Sequence, residues 1–191
     1  MAVQSRPRGR EDVSEALINA ATRLFAERGP SAVGVREIAQ LAGVNHGLVH
    51  RHFGSKTGLL KAVVSRLADE IALGVGEGDQ TERLDTLLAG VLGATSRQGA
   101  WLRVLAWSIL DGVEIEELQT RFPLARRMVE AARREEGSAL SAEARVTLIM
   151  SVGLGMLLFG PFLKAATGQD EAQWERSRRQ IMAMALRPSK G

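Results

Sequence analysis

The sequence predicts an all-α chain, with a three-helix helix-turn-helix domain at its amino end and a larger helical domain after it. Three observations carry this. Apolar residues recur at helical spacing from about residue 11 to residue 186, with no convincing strand between. Glycine-bearing breaks at Gly29-Pro30, Gly43, the GVGEGDQ stretch and Gly137-Ser138 cut the pattern into helix-length pieces. Residues 35–56, VREIAQLAGVNHGLVHRHFGSK, read as two short helices around a tight turn.

In that stretch Val35, Ile38, Ala39 and Ala42 give the first helix an apolar face. Gly43 stops it, because glycine takes a left-handed C-terminal conformation without steric cost. Val44 fills the corner, and Asn45 is placed to cap the next helix, at about 46–53. That helix is too short to stand alone. Its outward face carries His46, Gly47, His50 and Arg51 and no acid. This is the pattern of a helix-turn-helix, whose second helix enters the major groove of DNA.

Composition agrees with such a partner. The 191 residues are 45% hydrophobic and 25% charged, ordinary globular usage. The net charge is +3 and sits at the amino end: residues 1–60 hold eight Lys/Arg against five Asp/Glu, and the remainder holds 17 of each. The absence of cysteine excludes disulfides, thiol redox sensing and thiolate metal sites. The amino end has arginines but no apolar signal core, so the expected location is cytoplasmic.

Taken in order, residues 1–10 form an expected flexible basic arm. Residues 11–55 are expected to form the helix-turn-helix domain and 56–191 a larger helical domain. The helix from 56 to about 72 connects them. The first helix, about 11–28, buries Leu17, Ala21, Leu24 and Phe25 and ends at Gly29-Pro30. Phe25 and Phe53 are expected to meet in the small core. Ser55 caps the connector helix, where Lys56 adds charge beside free backbone N–H groups, a ready phosphate site. A linker is expected over 74–80, then helices at about 81–96, 101–110, 123–136, 142–166 and 171–186. Residues 146–163 contain no charge over 18 positions, the lower limit for a membrane span. Gly153, Gly155, Gly160 and Pro161 argue instead for burial against helices, and no membrane attachment is expected.

The segments LINAATRLFAERG, VREIAQLAGVNHGLVHRHFGSK and GLLKAVV together resemble the TetR-type transcriptional regulators over about the first sixty residues. Two positions depart from the family's pattern. His50 stands where the family has tyrosine, and Gly34 where it favours Ser or Thr as a helix cap. The resemblance implies a repressor that binds a palindromic double-stranded operator as a homodimer through its last two long helices. A small-molecule effector, largely apolar, would release it, which would make residues 56–191 the ligand-binding and dimerisation domain. The implied DNA-binding residues are Arg36, Asn45, His46, Gly47, Leu48, His50, Arg51, His52 and Lys56. Arginine reads guanine edges or phosphate, Leu48 suits a thymine methyl, and imidazole accepts, donates or pairs with phosphate. For an effector pocket the candidates are Trp101, Trp107, Phe122, Met128, Met156, Phe159 and Phe162, residue types that also build plain core.

No metal site is expected from His46 and His50, since the segment has no acid and no HExxH. No cofactor is implied, and no nucleophile–base pair or glycine-rich phosphate loop points to an enzyme. The alternative reading is a DNA-binding architectural or division-control protein of the same fold, with a protein partner in place of a ligand.

Overall fold

The computed structural model describes residues 9–78, 81–97, 99–119, 121–135 and 138–186. Among these residues ten helices follow one another: α1 (Arg10–Arg28), α2 (Val35–Leu41), α3 (Gly47–Phe53), α4 (Lys56–Val75), α5 (Leu84–Arg97), α6 (Gly99–Leu110), α7 (Ile115–Leu118), α8 (Pro123–Arg134), α9 (Ala142–Ala166) and α10 (Glu171–Leu186). No strand occurs among the described residues.

Three local readings differ from the expected ones. Arg10 opens α1 with Gly9 as its N-cap, so the expected arm is shortened, and its residues 1–8 lie outside the described residues. Helix α4 runs through Gly74 to Val75 and breaks at Gly76, with φ +80°. An internal glycine costs a helix only about 1 kcal/mol, and Val75 packs against the core of the second unit. Residues 79 and 80 of the expected linker lie outside the described residues. The single turn α7 was not anticipated, because four residues are too few to show a period; it forms around buried Leu118.

The chain divides into two compact units, Met1–Glu70 with Gln98–Arg121, and Ile71–Arg97 with Phe122–Gly191. A linear division at residue 55 does not make this separation, since most of α4 together with α6 and α7 belongs to the first unit.

The first unit closes around Leu17, Ala21 and Phe25 of α1, Ile38 of α2, Val49 of α3, Leu59, Val63 and Val64 of α4, and Val104 of α6, all buried. Each of these side chains except Ala21 contributes about 1.5–3 kcal/mol through burial. Phe53 is only partly buried and packs on this cluster, to which Phe25 belongs. Helix α1 ends where Gly29 takes φ +81°, and a Cβ there would stand 3.1 Å from the indole ring of Trp107. The turn that follows is held from two sides. The Ser31 N–H donates to Asp111 Oδ2 at 3.1 Å. The Lys56 ammonium donates to the carbonyls of Pro30, at 3.0 Å, and Val33, at 3.3 Å.

The second unit has its own core of Leu84, Leu87, Leu88, Met128, Ala131, Ala132, Val146 and Ile149. Ser141 caps α9 by accepting from the Ala144 N–H at 3.2 Å. The carboxyl of Asp85, bonded by Arg83, and that of Glu143, bonded by backbone N–H and by Arg133, are held below the usual carboxylate range. Both lie in first turns, where the helix dipole also favours negative charge. Arg145 is buried; it pairs with Glu135 at 2.8 Å and donates to the Leu186 carbonyl at 2.5 Å. Glu135 in turn accepts from the Leu84 N–H at 3.2 Å, so one network joins α5, α8, α9 and α10. Gly160 lets α9 approach α10, since a Cβ there would meet the Trp174 ring at 3.4 Å. The other side of this helix pair is bare: Leu148, Phe159, Phe162, Ile181 and Met184 are exposed. Helix α9 is long and apolar enough to cross a membrane by length and composition, and only 22% of its most apolar window is buried.

Candidate nucleic-acid interface

The reading helix is built from its ends inward. Gly43, at φ +69°, turns the chain out of α2. Asn45 Oδ1 accepts the Gly47 N–H at 2.8 Å, satisfying one of the free donors that open α3. A Cβ on Gly47 would stand 3.2 Å from that oxygen, so the cap and the small residue go together. Val49 is the buried residue of α3 and fixes its roll against the core. With Val49 inward, Asn45, His46, Gly47, His50 and Arg51 are exposed, and Leu48 and His52 are half-buried. The His52 ring lies 6.1 Å, centroid to centroid, from that of Phe53. His50 Nδ1 lies 3.2 Å from the Gly54 carbonyl, which only accepts, so a hydrogen bond between them requires the hydrogen on Nδ1.

Among the described residues the charge these elements present without an ion-pair partner is positive. Helix α3 contains no acid and ends in His50, Arg51 and His52. On α2 Arg36 is exposed, and the one acid, Glu37, is paired with Arg28. Lys56 is half-buried and turned toward Pro30 and Val33, so its charge sits at the start of α4 while its donors hold the preceding turn. Ser55 Oγ accepts from the Gly58 N–H at 3.0 Å and caps that helix. Among the described residues no cluster of three or more His, Asp or Glu side chains is placed to hold a metal ion.

A short, capped, acid-free helix held outward on a three-helix core is what the family match covers. The model for bacterial regulatory proteins of the tetR family matches residues 17–63. Over 165 residues the chain is 40% identical to the HTH-type transcriptional repressor Rv3405c of Mycobacterium tuberculosis, spanning 86% of this chain and 82% of that protein. This chain belongs to the TetR family. The TetR-family regulator PfmR from Thermus thermophilus superposes with a TM-score of 0.66 at 17% identity, covering 92% of this chain and 96% of PfmR. A HlyIIR mutant protein gives 0.71 at 18% identity over 95% of this chain and all of that one. At such identities the two structures show the fold alone. As a TetR-family protein the chain is a DNA-binding transcriptional regulator and not an enzyme, and regulators of this family typically act as dimers.

The seven aromatic and methionine candidates for an effector pocket are divided between the two units. Trp101 and Trp107 belong to the first unit and the other five to the second. Met128 is buried core, Met156 is half-buried, and Phe122, Phe159 and Phe162 are exposed. Two hollows of about 340 and 400 Å3, one in each unit, are lined by other residues. Linear reading missed Gly58, Trp107 and Asp111 as parts of the reading head. Gly58 has the sharpest requirement: a Cβ there would overlap the Phe53 carbonyl oxygen at 2.0 Å. Gly58 opens the GLLKAVV segment, but spacing does not show that it must lack a side chain, because that contact depends on how α4 leaves α3.

Proposed function

We propose that this protein is a ligand-responsive repressor acting in the cytoplasm, which binds a palindromic operator as a homodimer and is released by a small effector. One observation carries the reading: α3 is capped by Asn45, anchored by Val49, and exposes His46, Gly47, His50 and Arg51 with no carboxylate among them. Arg51 and His46 would address base edges and Leu48 a thymine methyl. Arg36, Asn45, His50 and His52 would contact the backbone, with Lys56 holding the turn that launches α2. The repressor assignment is supported by the relative Rv3405c, which bears that name.

Dimerisation is supported by the apolar side of α9 and α10, where Phe159 is 56% and Phe162 69% exposed. A patch of this kind on a single chain calls for a partner. The effector response is supported by Trp101, half-buried on the first core, whose Nε1 is buried without a hydrogen-bond partner. A ligand bearing an acceptor would satisfy that N–H.

Selection of bound sequences from random DNA tests the reading. The expected product is an inverted repeat with half-sites roughly 34–36 Å apart. Recovery of unrelated sequences would defeat it. Challenge of the selected complex with small apolar acids, amides and aromatic compounds tests release.

A further inference from the structure

We infer that His50 grips a DNA phosphate only as the doubly protonated imidazolium, so that operator binding takes up a proton at this residue. This rests on the reading of α3 as the DNA-facing helix and adds the chemical state in which one of its residues acts.

The argument is one of donors and acceptors. The chain has no tyrosine, and His50 stands on the exposed side of α3, one helical turn after His46. Its Nδ1 faces the Gly54 carbonyl at 3.2 Å, and a carbonyl oxygen accepts only, so Nδ1 must be protonated. In the neutral ring the hydrogen is then spent on Gly54, and Nε2 carries a lone pair. A phosphate oxygen also accepts only, so neutral His50 offers it nothing but repulsion between two acceptors. A second proton, taken from solvent onto Nε2, turns that nitrogen into a charged donor while the bond to Gly54 is kept.

The surroundings offer no competing explanation for the charge. On α3 itself the other titratable or charged groups are His46, Arg51 and His52. On α2 they are Arg36 and Glu37, the latter paired with Arg28 of α1. On α1, Glu27 pairs with Arg23 and Glu15 with Arg66 of α4, while Arg10, Glu11 and Asp12 lie in its first turn. At the start of α4, Lys56 is engaged with Pro30 and Val33, and Lys61 follows. Among the described residues no carboxylate pairs with the His50 ring, whose one hydrogen-bond partner is Gly54. A proton gained by His50 on binding is therefore gained for the phosphate.

The test is operator affinity of the full chain from about pH 8 to about pH 6, with the proton count taken by calorimetry in buffers of different ionisation enthalpy. The expected result is tighter binding at lower pH, by up to about tenfold per pH unit for each His50 engaged, with net proton uptake. His50→Gln should flatten that dependence. His50→Tyr should flatten it while keeping affinity, because a phenol donates without titrating in this range. His46→Gln should change affinity but retain the slope, and His52→Gln, at a second proposed backbone contact, should retain the part of the slope that His50→Gln removes. A native protein that binds its operator with no pH dependence would overturn the inference, as would a slope that survives in His50→Gln. Failure to bind any specific DNA at any pH would instead defeat the DNA-facing reading, so the two failures are told apart.

Discussion

The ammonium of Lys56 lies 3.0 Å from the carbonyl of Pro30 and donates to it, fastening the first turn of α4 to the turn that precedes α2. With the second bond, to Val33, two of its three hydrogens are used inside the protein. This relationship predicts a particular pattern of salt dependence. Each DNA phosphate that a variant ceases to neutralise lowers the slope of log K against log salt by about 0.9. Lys56→Met should weaken operator binding several-fold while leaving the slope unchanged, because the turn loosens but no phosphate partner is removed. A slope reduced by that full amount, measured by salt titration, would mean that the side chain leaves Pro30 and goes to DNA.

Gly58 and Gly29 should not tolerate alanine. At Gly58 the new Cβ would overlap the Phe53 carbonyl, so α4 must move away from α3. At Gly29 a left-handed backbone and the Trp107 ring both stand against it. Each substitution is expected to cost about 1–3 kcal/mol in urea denaturation. Gly58→Ala should in addition lower operator affinity in protein that is still folded, since it displaces the reading helix.

The buried pair of Arg145 and Glu135 should respond asymmetrically. Arg145 is only 3% exposed, and its Nε and Nη1 already lack partners. Glu135→Gln removes the compensating charge and should destabilise by roughly 3 kcal/mol. Replacing both residues by Leu and Met should recover most of that loss, because two apolar side chains leave no charge to solvate. Equal destabilisation in the single and double variants, read from urea midpoints, would contradict this account.

The apolar side of α9 and α10 gives the clearest test of assembly. Phe162 is 69% exposed, so Phe162→Glu removes nothing from the core of its own unit. A charge placed inside an apolar interface costs several kcal/mol unless it is paired. The expected outcome is monomeric protein by light scattering, with thermal stability close to that of a dissociated native chain and operator affinity strongly reduced. An unchanged dimer mass would place the interface elsewhere.

The reading helix was legible in the sequence because its signals are local. Gly43, Asn45, Ser55 and the Val35, Ile38, Ala39 pattern act within a turn or two of chain, where backbone sterics and capping decide the outcome. Helix boundaries were likewise close for α1, α8 and α10, which run between strong punctuators or show a clear apolar stripe. For the effector candidates spacing along the chain says less. Trp101 and Trp107 joined the first unit, and Met128 became core of the second, because aromatic and methionine side chains at helical spacing say only that a face is apolar.

By itself the sequence determined an all-helical chain with a capped, acid-free reading helix near its amino end, since these follow from periodicity, caps and charge along a continuous stretch. Only the tertiary structure decided that α6 and α7 join the reading head, that Lys56 faces carbonyls, that Gly58 must lack a side chain, and that His50 Nδ1 faces the Gly54 carbonyl. The first and third depend on groups brought together by folding. The other two depend on side-chain direction, which spacing along the chain leaves open.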